Sequence, residues 1–251
     1  LTLDEGNLFR EKGIGILSAD AIPLEKLVRL QGRHVLAQNR YTTIGHQSLA
    51  EAQPFILRND DTGERVAWIH NGQLNGLSGW NRTRSDSERF GKAFSHAKGD
   101  TLDEQVFSML SNPIIHERGS YAISLLVHTK EDGDALVVAT DPYGNRPIEM
   151  GKIVGETPGD DGYVFASESA SIQGISLSTH PNLSYVRHLE PGEIIILTDK
   201  GMKSYTGEDL PENLRPKISA PCFFEGVYFS SPESLVFGES VYEMRRHLGR
   251  N

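Results

Sequence analysis

Apolar residues in this chain gather into strand-length runs on either side of one pair of helix-period segments, and that grouping limits the architectures open to it. Val35–Gln38 and Arg65–Ile69 come first and read as strands. Ser85-Asp86-Ser87-Glu88 then places a serine and a glutamate as in a capping box, which predicts a helix beginning at Asp86. Phe90 and Phe94 share one face of that helix, and Leu102, Val106 and Leu110 repeat the helical period over Thr101–Leu110. Tyr121–His128, Ala135–Thr140, Tyr163–Ala166 and Glu193–Thr198 read as strands again, and Glu239–Leu248 as a terminal helix. A doubly wound parallel sheet needs strict strand–helix alternation, which is absent. Strands grouped around a helix pair predict sheets and helices in packed layers, an α+β fold.

Punctuation agrees. Asp141-Pro142-Tyr143-Gly144 has the residue order of a type I turn, and Asp199-Lys200-Gly201 marks a hairpin. Glu208–Pro221 carries three prolines and little apolar period, so it reads as a linker or surface excursion.

Composition narrows the function. The 251 residues suffice for a full core, and 37% hydrophobic with 24% charged residues is ordinary for a globular chain. A net charge of −9 without a Lys/Arg block disfavours a nucleic-acid partner. The apolar runs at Ala122–Val127 and Ile194–Leu197 are strand-sized, too short for a membrane span. The start, Leu1-Thr2-Leu3-Asp4-Glu5, has no signal or transit pattern, and a single cysteine suits a reducing, cytoplasmic setting. No Cys/His cluster has metal-ligand spacing, and no nucleotide fingerprint or P-loop is present. Neither a metal nor a cofactor is expected. Cys222, between Pro221 and Phe223-Phe224, reads as an inert core thiol.

Several polar residues have chemistry beyond scaffolding. Asn71-Gly72 is by itself a hairpin signal. The same tight turn would aim an asparagine amide and a glycine N–H at one point, as an oxyanion hole requires. Arg40 reads either as a solvated arginine or as a bidentate clamp on a carboxylate, with Thr43 and Gly45 adding contacts. Asp86 reads as a helix-start acid or as an acceptor for an ammonium group. Ser167-Glu168-Ser169 reads as strand-end capping, and Asp141 and Arg146 as scaffold paired with each other.

Taken in order, these runs resemble the class II glutamine amidotransferases, the N-terminal-nucleophile glutaminase family, and within it the amidophosphoribosyltransferase branch. The resemblance rests on Arg40-Tyr41-Thr42-Thr43-Ile44-Gly45, Glu51-Ala52-Gln53-Pro54-Phe55, His70-Asn71-Gly72, Ser85-Asp86-Ser87-Glu88, Gly119-Ser120-Tyr121-Ala122, the run from Asp141 to Pro147 and Ala166-Ser167-Glu168-Ser169. It ends on the stretch from Pro221 to Ser234. The resemblance implies a four-layer αββα sandwich of two stacked antiparallel sheets. It implies that Arg40 holds the glutamine α-carboxylate and Asp86 its α-ammonium, with Thr43 and His70 beside them. Asn71 and Gly72 stabilise the oxyanion. Glutamine is the implied ligand, glutamate and ammonia the products, purine biosynthesis the setting. Residues 1–220 are expected to form the glutaminase domain. Residues 221–251 resemble the passage into a phosphoribosyltransferase domain, which, or a separate synthase, is the implied partner; homo-oligomerisation stays open.

The family's nucleophile is a cysteine at the chain's start, whose own α-amine, with a pKa of about 7.7–8.0, serves as base. The sequence begins at Leu1 and carries no Cys-Gly there. The expectation is that the natural start lies upstream, and that the residues given bind glutamine without hydrolysing it. The alternative is a nucleophile-free relative that binds or senses glutamine.

Overall fold

Two strands of ten and eleven residues form the longest ladder of the molecule, and most of the rest is arranged on the two faces of the sheet they anchor. In chain order the elements are β1 (Thr2–Asp4), β2 (Asn7–Phe9), α1 (Leu24–Leu27), β3 (His34–Val35), β4 (Phe55–Arg58) and β5 (Arg65–Leu74). Then come α2 (Glu88–Ser95), α3 (Leu102–Leu110), α4 (Pro113–His116), β6 (Gly119–Thr129), β7 (Gly133–Thr140), β8 (Glu149–Ile153), β9 (Gly162–Ala166) and α5 (Ser169–Ser178). The chain continues through β10 (Leu183–His188), β11 (Ile194–Thr198), β12 (Gly201–Tyr205), β13 (Leu235–Val236), β14 (Glu239–Ser240) and α6 (Val241–Leu248). The computed structural model describes residues 1–14, 24–39, 48–59, 63–74, 86–116, 119–157 and 159–250.

The main sheet has six strands in the order β12-β11-β7-β6-β5-β4, every neighbouring pair antiparallel. Successive side chains alternate between its faces. Val66, Trp68, Ile123, Leu125, Val127, Val137, Ile194 and Ile196 face one way and pack against Phe90, Phe94, Leu102, Val106, Met109 and Leu110 of α2 and α3. Ala122, Val138 and Ile195 face the other way, onto Ile148, Met150 and Leu189 around the smaller sheet β10-β8-β9. Ala67 and Leu126 on that same side meet Leu1, Leu3 and Leu36 of the sheet β2-β1-β3. Helix α5 closes the far side of the smaller sheet, with Ile172 buried against Gly151. The order is therefore helices, sheet, sheets, helix: the αββα sandwich that the resemblance implied. Both faces of the main sheet are covered, which is why Ile194–Leu197 reads as an unbroken apolar run and Ala122–Val127 as one interrupted only by Ser124. Each such side chain contributes about 1.5–3 kcal/mol on burial.

Local chemistry explains several boundaries. Thr101 caps α3 by accepting the Glu104 N–H at 3.3 Å. Asp199-Lys200 closes the β11–β12 hairpin, with Thr198 opposite Gly201. Asp141-Pro142-Tyr143-Gly144 turns as expected, the Gly144 N–H reaching the Asp141 carbonyl at 2.9 Å.

Other expectations are corrected. The helix predicted at Asp86 begins at Glu88, and Ser87 makes no side-chain cap bond; Ser85 lies outside the described residues. The two side chains inside that expected cap are engaged elsewhere. Asp86 accepts the Leu74 N–H at 2.8 Å, and the Ser87 hydroxyl meets His70 Nδ1 at 2.9 Å. Asn71-Gly72 is no hairpin turn, because β5 runs through it to Leu74 with Gly72 opposite Tyr121 on β6. The strand expected at Val35–Gln38 is His34–Val35, its pairing extended by the Leu36 N–H to the Leu1 carbonyl at 2.8 Å. Asp141 and Arg146 are not paired with each other: Arg146 Nη1 contacts Glu225 Oε1 at 2.6 Å, while the Asp141 carboxylate accepts N–H groups from Tyr121, Tyr143 and Asn145. Glu168 and Ser169 reach far beyond strand-end capping. Glu168 accepts from Ser231 N and Ser234 Oγ, and Ser169 Oγ from Leu235 N, so they pin the C-terminal stretch. Glu208–Pro221 is a surface excursion anchored by two buried leucines, Leu210 and Leu214.

Candidate functional site

The β4–β5 ladder ends early, and the side chains that take over from it define the site. Its last registered pair is Phe55 opposite Trp68. One step further, opposite His70, a side chain replaces the missing strand. Gln53 Oε1 accepts the His70 N–H at 2.6 Å, and Gln53 Nε2 donates to the His70 carbonyl at 3.1 Å. Gln38 Nε2 donates to the same carbonyl at 3.2 Å. Two steps beyond Gly72, Asp86 Oδ2 takes the Leu74 N–H at 2.8 Å. Backbone groups of alternate residues on an antiparallel strand face the same edge. Positions 70, 72 and 74 therefore share this edge; among the described residues side chains occupy 70 and 74, and none occupies Gly72 between them.

Gly72 cannot be replaced without displacing the sheet. Its φ is +145°, and a Cβ there would fall 1.9 Å from the Ser120 carbonyl oxygen. Asn71, opposite Ala122, is exposed. The exposed Asn71 amide and the open edge at Gly72 are adjacent polar donors, and the Asp86 carboxylate keeps acceptor capacity beyond its bond to Leu74.

Beneath this edge the packing is dense. His70 is 3% exposed, its ring tilted against Phe90 with centroids 4.8 Å apart. Burial lowers the His70 imidazole to about 4 against the attraction of the Asp86 carboxylate, so it is neutral at neutral pH. Ser87 Oγ also receives Gln53 Nε2 at 3.3 Å, which leaves its own hydrogen for His70 Nδ1. Trp68 Nε1 donates to the Ser87 carbonyl at 2.8 Å, fastening the start of α2 to β5.

The structure thus brings Asn71, Gly72 and Asp86 to one strand end. His70, expected beside the substrate, is turned into the core instead, because its ring is an apolar partner for Phe90; it reaches the edge through its backbone. Arg40 and Thr43 lie outside the described residues. Sequence reasoning did not single out Gln53 or Ser87. The one available signal was Gln53-Pro54 just before a strand, where proline cannot donate to a ladder.

Cys222 is not in the core. It is partly exposed, with Sγ 3.8 Å from Arg146 Nη1, and helps line a 550 Å³ cavity whose walls include Phe223, Phe237 and Met244. None of the β5-edge residues lines that cavity. Among the described residues no group of three or more His, Cys, Asp or Glu side chains could hold a metal ion. No helix among them is long and apolar enough to cross a membrane.

Comparison with known proteins covers this arrangement from end to end. The amidophosphoribosyltransferase of Pasteurella multocida is 33% identical over 268 residues, covering 100% of this chain and 49% of that protein. That of Haemophilus influenzae is 32% identical over 265 residues, covering 99% and 48%. This chain is an amidophosphoribosyltransferase homologue with the class II glutamine amidotransferase fold. The solved glutamine phosphoribosylpyrophosphate amidotransferase of B. subtilis, in complex with ADP and GMP, matches the homologue with a TM-score of 0.65 at 28% identity, over 92% of this chain and 46% of that one. A second solved structure, described as the allosteric regulatory enzyme of purine biosynthesis, gives 0.67 at 27%, with the same coverage of 92% and 46%. The homologue spans about half the length of the curated relatives it matches. No family model matches it.

Proposed function

We propose that this domain binds free glutamine at the β5 edge and serves as the glutaminase part of an amidotransferase, supplying ammonia to a phosphoribosyltransferase partner in purine biosynthesis. The observation that carries the reading is the bracketed strand end: Asn71 exposed and Gly72 lying between the side-chain bonds at His70 and Leu74, with the Asp86 carboxylate fixed at Leu74. In this reading Asp86 receives the glutamine α-ammonium and Arg40, with Thr43, its α-carboxylate. The resemblance assigns the attack to an N-terminal cysteine thiolate. Its sulfur bonds to the side-chain amide carbon, the carbonyl electrons move to oxygen, and Asn71 Nδ2 and the Gly72 N–H hold that oxyanion. Collapse breaks the C–N bond, ammonia departs with a proton, and water hydrolyses the thioester to glutamate. One donor of this kind contributes about 3–4 kcal/mol to the transition state.

Calorimetric titration of the full-length protein with glutamine tests the binding half. Heat is expected with the wild type, and about tenfold or weaker affinity in Asp86→Asn and Arg40→Ala, since each removes one charge-assisted bond. Equal affinity in both variants would falsify the assignment. Ammonia release by the full-length protein tests the hydrolytic half, with Asn71→Ala expected to lower kcat about 10²–10³-fold.

A further inference from the structure

We infer that Gln53 is a positioning residue for the oxyanion donors, its side-chain amide standing in for a strand that the sheet does not provide opposite His70. The inference rests on the glutaminase reading of Asn71 and Gly72 and extends it to a residue that never touches substrate.

The register shows what the amide replaces. Phe55 lies opposite Trp68, so two residues back on one strand and two forward on the other set Gln53 opposite His70. In a regular hydrogen-bonded pair the two residues exchange both N–H···O bonds. Pro54, between Gln53 and Phe55, has no N–H and does not continue the ladder. The Gln53 side chain makes both bonds of the missing pair, one accepted at 2.6 Å and one donated at 3.1 Å. Its second N–H goes to Ser87 Oγ, which holds the His70 ring. Every bond in this set ends on His70 or on the serine that fixes it, and Gln53 is 8% exposed, so water cannot substitute.

The consequence falls on the next two residues. β5 is held on its other edge by β6, where Asn71 lies opposite Ala122. On this edge, among the described residues, the amide at 70 and the carboxylate at 74 leave a gap one backbone group wide. Oxyanion donors act only if they stand where charge develops, within about 0.5 Å. With the amide gone, the His70 N–H loses its partner and the peptide that leads into Asn71 keeps only the longer Gln38 Nε2 bond, at 3.2 Å, on this edge. Ground-state binding through Arg40 and Asp86 is not touched, so the effect belongs in kcat rather than KM.

The test uses ammonia release by the full-length protein. Gln53→Met keeps the side chain's length and removes its hydrogen bonds. The expected result is a kcat loss of roughly 10- to 100-fold, with KM for glutamine within about twofold. In an Asn71→Ala background the same substitution is expected to cost less, because one of the two donors it positions is already gone. Gln53→Glu adds a second readout: a protonated carboxyl accepts the His70 N–H and donates to its carbonyl, an ionised one cannot donate. Its kcat relative to wild type is expected to rise as pH falls, and this profile decides the matter where Gln53→Met does not fold. Unchanged kcat in Gln53→Met, equal losses with and without Asn71, or a flat Gln53→Glu profile would overturn the positioning role alone. A wild type that releases no ammonia, or an Asn71→Ala variant with full kcat, overturns the glutaminase reading and the inference with it.

Discussion

Gly91 on α2 lies so close to Trp68 on β5 that a Cβ on the glycine would fall 2.1 Å from the indole Cη2. The helix that carries Phe90 against His70 is seated on the sheet by this one missing methyl. Alanine at position 91 would favour an isolated helix by about 0.8–1 kcal/mol. Overpacking a dense core costs about 1–3 kcal/mol, and at 2.1 Å from a buried ring the steric cost wins. Gly91→Ala is expected to lower unfolding stability in urea by roughly 1–2 kcal/mol. Adding Trp68→Phe, which removes the contacted ring atoms, is expected to return part of it. A Gly91→Ala variant as stable as wild type would contradict this seating.

A second prediction concerns Glu149. It is fully buried on β8, accepting from Tyr185 Oη at 2.9 Å and from the Phe237 N–H at 3.0 Å. Burial pushes its carboxyl up to about 7, although both hydrogen bonds pull the other way. The folded chain then holds this proton more tightly than the unfolded chain. The stability it contributes is complete below about pH 4.5 and is lost as pH rises through about 7. The thermal midpoint of the wild type is expected to fall by roughly 5 °C between about pH 6 and 8, and Glu149→Gln to flatten that slope. Equal slopes in the two proteins would rule the carboxyl out as the cause.

His70 predicts the opposite slope in acid. Its folded value of about 4 lies below the unfolded 6.5, so the unfolded chain binds the proton more readily between these limits. Stability from this group is full above about pH 6.5 and declines as pH falls toward 4. Hydrogen exchange at the amides of Trp68–Leu74 is expected to accelerate there before exchange in α5 does. A uniform acceleration across both would count against a local origin.

The Arg187–Glu193 pair gives a fourth. Glu193 is wholly buried, receives Arg187 Nη1 and Nη2 at 2.8 and 2.6 Å, and has its carboxyl held below the usual range by the Arg187, Glu190 and Ser204 hydrogen bonds, which outweigh the opposing effect of burial. Removing one partner of such a pair costs about 3–5 kcal/mol, because the remaining charge is stranded. Arg187→Met is expected to show that loss in urea unfolding at pH 7, and a smaller one near pH 5, where the stranded carboxyl takes up a proton. The same penalty at both pH values would mean that charge is not its origin.

How far the sequence could be read depended on whether a residue's partner is near in the chain. β6, β7 and β11 were legible because packing on both faces turns a strand into an apolar run. α3 and the β11–β12 hairpin were legible because cap and turn chemistry is local. Asn71-Gly72 misled as a turn because asparagine and glycine are also what an open, positive-φ strand end requires. The roles of Gln53, Glu168 and Arg146 were not legible, because their partners His70, Ser231 and Glu225 sit 17, 63 and 79 residues away. Backbone-like pairing by a side chain has no periodicity to detect.

The order of strands in the main sheet also bears on how the chain finds its shape. The β6–β7 and β11–β12 hairpins each close over a few residues, an event of about 1–10 μs. The β7–β11 seam between them joins Ala139 to Ile194 and must wait until the whole intervening stretch, with the smaller sheet inside it, has been looped out. Until then each hairpin presents a bare apolar edge. The interval before that seam closes is therefore when the nascent chain is most open to pairing with the wrong neighbour.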